Sequence, residues 1–237
     1  MALPKLEVST YTLELPSTSE KIKYRPFLVK EQKILMIAQE SEDEDEILNT
    51  ISKLVSSCTF DKVTGESSPL FDIEYIFLKI RSKSVGETTI VNILCPDDNE
   101  TYVPVKVKFD DIYVQMVDDH SNIINITDSI KMVMKYPELR DVRGMKFEKQ
   151  ISSLEVFNIL KKCIWEVHHG DTIHNRIDIS DEDIEEFIDN FTTEQFDMII
   201  HFFNTMPKLR HEVEVTNPKT SVTSKVICRT YFNSITS

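Results

Sequence analysis

Glycine is scarce in this chain, which contains four glycines in 237 residues. Neither GxGxxG nor the P-loop pattern GxxxxGK followed by Ser or Thr occurs, so the sequence lacks the glycine-rich loops that bind nucleotide phosphates. Long apolar runs are also missing, and stretches such as "IIHFF" are far too short to cross a bilayer. We therefore expect no cofactor, no small-molecule substrate and no membrane segment.

Basic residues are in deficit, with 27 lysines and arginines against 40 aspartates and glutamates, a formal net charge of -13. Because phosphate backbones and anionic membrane surfaces would be repelled, nucleic acid and membranes are not expected partners. The first residues, "MALPKLEVST", lack a basic segment followed by a hydrophobic run. These features predict a protein of the cytosol, or of something assembled there.

Cysteine is equally sparse, and its spacing is informative. The four cysteines, Cys58, Cys95, Cys163 and Cys228, contain no CxxC pair. Wide spacing of this kind is typical of reduced thiols rather than of a disulfide framework.

The residues that are present predict an α+β protein in which antiparallel β-hairpins alternate with small helical clusters. Alternating apolar residues over 10–24 predict a hairpin that Pro26 ends. Apolar residues at helical spacing then predict helices from Val29, after the acidic run 42–46, and from Ser68 and Pro69.

A second series of elements follows in the same order. Strands are predicted over 87–94 and 102–109, and two more flank 118–122. Helical spacing returns after Ser152, followed by a loop near 168–175, two capped helices and a last hairpin. The helix starts are predicted by Ser180 with Asp183 and by Thr192 with Gln195, which is a capping-box pattern.

This order, hairpin, helices and hairpin twice over, suggests two related halves, 1–109 and 110–237. Shifting the chain by 125 residues aligns identical residues in both halves. The first of each aligned pair are Phe71, Asp72, Phe77, Lys83, Glu87 and Asn92; the second are Phe196, Asp197, Phe202, Lys208, Glu212 and Asn217. If the halves share an ancestor, 68–108 and 192–232 should each fold as a helix leading into a two-stranded antiparallel hairpin.

Candidate chemical sites are few. His168, His169 and His174 beside Cys163 offer zinc ligands, but no second close pair of Cys or His accompanies them, so solvated loop histidines are the alternative. The stretch 178–189, "DISDEDIEEFID", superficially resembles a calcium loop but has Asp183 where such a loop requires glycine, and a helix start is the better interpretation. No GxSxG motif or other nucleophile motif occurs. We predict neither catalytic nor metal-binding residues.

Several segments, in order along the chain, carry a family resemblance. These are "IKYRPFLVKEQKILMIAQESED", "IRSKSVGE", "LCPDDNE", "KYP" and "PKLRHEVEV". Together they resemble the T-even-type bacteriophage baseplate hub subunit family, and the N-terminal block is the most specific of them. The resemblance also implies a CPxC-like pair in the turn of each late hairpin, as in a small zinc ribbon. This chain departs from that pattern, because it has Cys95 in the first turn and Cys228 near the second.

The resemblance implies a non-enzymatic bacteriophage tail protein that acts in baseplate hub formation, as a structural subunit or an assembly factor. Its expected partners are other baseplate or hub proteins, and its expected locations are the host bacterial cytoplasm and the virion baseplate. An alternative is a tail assembly chaperone that binds the tape-measure protein and is absent from the mature virion. A remote alternative is a small hydrolase without a local motif.

The corner "YRPF" is the predicted partner-binding segment, comprising Tyr24, Arg25, Pro26 and Phe27. Aromatic and arginine side chains dominate protein interfaces. Pro26 prevents the strand from continuing, so the chain turns outward there and can display Arg25 and Phe27. The alternative is that Tyr24 and Phe27 belong to the core.

Overall fold

The computed structural model describes residues 7–144 and 153–228, and these form helices and short antiparallel strands. The helices are α1 Val29–Glu40, α2 Glu44–Cys58, α3 Leu70–Val85, α4 Ser153–Cys163, α5 Asp181–Asp189 and α6 Thr193–Thr205. The strands of the first half are β1 Tyr11–Glu14, β2 Lys21–Tyr24, β3 Thr88–Leu94, β4 Tyr102–Lys108 and β5 Tyr113–Gln115. The later strands are β6 Ile123–Asn125, β7 Ile130–Met134, β8 Ile164–His169, β9 Thr172–Asn175, β10 Lys208–Thr216 and β11 Thr223–Cys228. The α+β class predicted from sequence is confirmed.

The chain divides into two compact units. The first contains the described residues up to Gln115 together with those from Lys208 onward, and the second contains the described residues from Met116 to Pro207. The predicted boundary at residue 109 divides the chain differently, because the last hairpin joins the first unit through pairing of β10 with β5. None of the described helices is long and apolar enough to cross a membrane.

The first unit combines three antiparallel hairpins with helices α1, α2 and α3. The hairpins are β1–β2, β3–β4 and β10–β11, as the alternating sequence pattern predicts. Helix α2 begins at the N-cap Asp43, whose Oδ1 accepts hydrogen bonds from the N–H groups of Asp45 (2.9 Å) and Glu46 (3.2 Å). The acidic run therefore starts a helix, and α2 turns its apolar stripe inward.

The second unit places helices against a four-stranded antiparallel sheet with strand order β6-β7-β8-β9. Alternate strand residues such as Met132 and Val167 point to the helices, because successive side chains in a strand face opposite sides. One apolar cluster joins the sheet to α4, α5 and α6. Its buried members include Ile124, Met132, Met134, Leu160, Cys163, Ile164, Ile184, Ile188, Ile199 and Phe202.

Two sequence predictions in this region were wrong. The expected loop near 168–175 is the β8–β9 hairpin, in which His169 pairs with Thr172 across Gly170 (φ +58°). The strands flanking 118–122 do not pair with each other, because β5 pairs with β10 and β6 with β7. Alternation identifies a strand, but it leaves open which neighbour that strand will find.

The helix starts predicted at Ser180 and Thr192 are confirmed, whereas the helix predicted from Ser68 and Pro69 begins at Leu70, with Pro69 at the N-cap position and no side-chain cap. Ser180 Oγ accepts from the N–H of Asp183 at 3.0 Å, and Thr192 and Gln195 exchange the two hydrogen bonds of a capping box. In both segments proposed as repeats, a helix leads into an antiparallel hairpin: α3 into β3–β4, and α6 into β10–β11. Residues 229–232 of the second segment lie outside the described residues, and common ancestry of the halves stays a prediction.

Candidate partner-binding surfaces

The predicted corner Tyr24–Phe27 links the end of β2 to the start of α1. Tyr24, Arg25 and Phe27 are 4%, 9% and 8% exposed, and Pro26 is half-buried. The Phe27 N–H donates to Ser84 Oγ at 3.0 Å, which ties the corner to the end of α3. The corner therefore packs inside the first unit, as its core interpretation requires, and its part in partner binding stays a prediction.

Arg25 connects the corner to α1 and α2 from this buried position. Its Nη2 donates to Glu31 Oε1 in α1 (2.9 Å) and to Ser57 Oγ in α2 (3.0 Å). Its backbone N–H donates to the Cys58 carbonyl at 2.9 Å. Removing either charged partner of a buried pair leaves the other uncompensated, so this pair holds α1 against α2.

The Glu31 carboxylate accepts hydrogen bonds both from Arg25 and from the backbone at the start of α1. Burial raises its pKa, but hydrogen bonds from Arg25 and from the Leu28 N–H (2.7 Å) outweigh burial and hold the pKa below its ordinary value. Leu28 offers no side-chain acceptor at the N-cap, so the Glu31 carboxylate satisfies an orphan N–H there.

The exposed side of α1 is a more accessible candidate surface, which sequence reasoning missed. Val29, Ile34, Met36 and Ile37 are 68%, 56%, 51% and 60% exposed. At about 100° per residue these side chains fall within a sector of about 160°. We call this sector the α1 face. The sequence did contain a signal for this surface. The apolar residues of α1 are spread around more of the helix than can be buried when it packs from one side.

Charges on the α1 face are divided between its two ends. Lys30 and Lys33 lie in the N-terminal half, and Glu40 is the last helical residue, followed by exposed Glu42. The Lys30 ammonium lies 3.5 Å from Glu31 Oε1 but its side chain is 70% exposed, so it remains available to a partner. The face is therefore apolar in the middle, basic at one end and acidic at the other.

Two turns of the first unit meet where the resemblance implies paired cysteines. Asp97 in the β3–β4 turn accepts two hydrogen bonds from Asn217 Nδ2 (3.1 and 3.0 Å) and one from Thr220 Oγ1 in the β10–β11 turn. The hydrogen bonds from Thr220 and Asn217 lower the pKa of Asp97. Cys95 is buried beside this contact. These hydrogen bonds join the β3–β4 and β10–β11 hairpins at their turns.

Strand geometry separates His168 from the other two histidines considered as zinc ligands. His168 and His169 are consecutive in β8 and point to opposite faces of the sheet. His168 Nε2 lies 2.7 Å from Glu166 Oε2, whereas His169 and His174 line a shallow groove with Asp178 and Asp183. Within residues 7–144 and 153–228, no group of three or more Cys, His, Asp or Glu side chains is arranged to hold a metal ion.

One buried carboxyl has no role in these surfaces but affects stability. Burial raises the pKa of Glu74 in α3 to about 8, because removal from water disfavours the charged form. Glu74 is therefore largely protonated in the folded protein at neutral pH.

A family model described as "T4 bacteriophage base plate protein" matches residues 8–233. This match spans most of the chain, so the chain belongs to this phage baseplate family. Searches of curated proteins and of solved structures found no match.

Proposed function

We propose that this protein helps to build the baseplate hub of a bacteriophage tail, as a structural subunit or an assembly factor. The main observation that supports this proposal is the family match over residues 8–233. Membership of a baseplate family implies other baseplate proteins as partners. Assembly of this kind needs complementary surfaces and no reaction chemistry, so we propose a non-enzymatic role.

The α1 face supports this proposal. Large apolar side chains grouped on an exposed helix are typical of surfaces that dock against another protein. The Tyr24–Phe27 corner supports the face from beneath, since the buried Arg25–Glu31 pair fixes the position of α1. A direct contact between this corner and a partner is a further proposal, which requires the corner to open.

The proposed site of action is the host bacterial cytoplasm during assembly and then the baseplate of the virion. A pull-down with tagged protein from infected cells, late in infection, tests the partners. We expect mass spectrometry to identify other baseplate or hub proteins among those recovered. Recovery of no tail protein would contradict the proposal.

Mass spectrometry of purified virions distinguishes a structural subunit from the alternative role, a tail assembly chaperone that binds the tape-measure protein. A subunit remains in the virion, whereas an assembly chaperone is absent from it. Recovery of the tape-measure protein in the pull-down, together with absence from virions, would favour the chaperone.

A further inference from the structure

We propose that the α1 face binds the same face of a second copy of this chain, with the two α1 helices antiparallel about a two-fold axis near Met36. This inference rests on the proposed function in one respect, since it takes the α1 face as a protein-binding surface. The proposed partner, a second copy of this chain, is one that membership of the baseplate family does not specify.

The apolar centre of the face fits a two-fold axis. Met36 and Ile37 are consecutive in α1 and more than half exposed, and Ile34, also more than half exposed, lies at one edge of the α1 face. A two-fold interface brings the same patch of both copies together, so Met36 near the axis meets its own equivalent and each of the other side chains contacts a different residue of the partner. Their burial removes apolar surface from water and supplies the favourable free energy of association.

The charges select the antiparallel arrangement. Lys30 and Glu40 lie ten residues apart in sequence, or about 15 Å along the helix, too far for an ion pair within one copy. In an antiparallel pair, Lys30 and Lys33 of each copy lie opposite Glu40 and Glu42 of the other. A parallel pair would instead place like charges together.

This division of charge favours a second copy over an unrelated partner. A uniformly basic face would fit an acidic helix, and a uniformly acidic face would fit a basic one. The α1 face has one sign at each end, which makes it complementary to itself when reversed.

The size of the face limits the affinity. Twelve residues span about 18 Å of helix that is about 10 Å wide. Such a contact is well below the roughly 800 Å² per partner of a standard interface. We therefore expect weak, reversible dimers with a dissociation constant on the order of 10 to 100 µM.

Sedimentation of the purified full chain, from low micromolar concentration to about 0.5 mM, tests the association. We expect the average mass to rise towards that of a dimer. Met36→Glu should weaken association at least tenfold, because it places two carboxylates at the axis. Ile177→Glu is the matched control, since Ile177 is 92% exposed and lies in the second unit, and it should leave association unchanged.

Paired charge reversals test whether these four charges lie in the interface. The acidic variant Lys30→Glu with Lys33→Glu and the basic variant Glu40→Lys with Glu42→Lys should each remain monomeric, because like charges then meet at both ends. Mixed in equal amounts, the two variants should associate, since every contact becomes attractive. Circular dichroism of both variants checks that each is folded.

Three outcomes would overturn the inference: a wild-type chain that is monomeric throughout, an association that Met36→Glu leaves unchanged, or a mixture of folded variants that fails to associate. A monomeric chain that still recovers baseplate proteins from infected cells would overturn this inference alone. The proposed function fails separately, if dimers form but no tail protein is recovered.

Discussion

Helices α1 and α2 are consecutive in the chain and pack together, yet they place their apolar residues differently. In α2, Leu48, Ile51, Leu54, Val55 and Cys58 are buried along one stripe. In α1, Leu35 and Ala38 are buried, whereas the α1 face points to solvent. A helix packed from one side can bury about one stripe, so the apolar residues on its other side are available for a partner.

The largest expected effect concerns the pair that holds α1 against α2. Arg25→Ala should reduce the free energy of unfolding by about 3 to 5 kcal/mol, because the buried Glu31 loses its hydrogen-bonded cation and keeps only the exposed Lys30 ammonium at 3.5 Å. Lys23→Ala, an exposed change two residues earlier in β2, should alter it by less than about 0.5 kcal/mol. Urea denaturation followed by circular dichroism measures both.

Arg25→Glu should be more damaging still, since it places two carboxylates together in the core. The combination Arg25→Met with Glu31→Leu should recover much of the lost stability, because apolar replacement of a buried pair is often tolerated. If Arg25→Ala were as stable as the wild type, the pair would not be what fixes α1.

A matched pair of isoleucine truncations measures the contrast between the helices directly. Ile51→Ala in α2 should cost about 3 kcal/mol, because it leaves a cavity at a fully buried position. Ile37→Ala on the α1 face should cost less than about 0.5 kcal/mol in dilute solution. Similar losses for the two variants would show that the α1 face is covered within the monomer.

Glu74, the buried carboxyl of α3, should make the free energy of unfolding depend on pH. The unfolded state releases the Glu74 proton near pH 4.5, while the folded state retains it to about pH 8. The unfolded state therefore binds fewer protons in this window, and stability falls as the pH rises through it. Relative to Glu74→Gln, the wild type should lose about 2 kcal/mol between pH 6 and 8.

Denaturation curves of the wild type and of Glu74→Gln at several pH values provide this difference. Glu186→Gln, at an exposed position of α5, is the control and should follow the wild-type pH dependence. A constant difference between the wild type and Glu74→Gln across the window would mean that Glu74 is ionised in the fold.

The smallest effect tests the start of α2. Asp43→Ala should cost about 1 kcal/mol, because the N–H groups of Asp45 and Glu46 lose their acceptor. Asp43→Asn retains an oxygen acceptor and should stay within a few tenths of a kcal/mol of the wild type. Equal losses for the two variants would assign the effect to the charge rather than to the cap.

Local signals in the sequence predicted much of the fold. Thr192 with Gln195 marks the start of α6, and alternating residues mark β3 and β4, because these patterns involve neighbours a few positions apart. The β8–β9 hairpin was missed because its histidines and acids resemble a polar loop. Its strands are stabilised by pairing with β7 and by packing of Val167 in the core, and both contacts join residues distant in sequence.

The α1 face and the Tyr24–Phe27 corner also show which features local sequence predicts and which depend on tertiary packing. Local sequence patterns predict the α+β class, most helix starts and most hairpins, and they show the apolar and charged composition of α1. Tertiary structure decided that Arg25 and Phe27 are buried while Ile34 and Ile37 are exposed, and that β10 pairs with β5. The physical reason is that caps and alternation depend on adjacent residues, whereas burial depends on which distant segments cover a side chain.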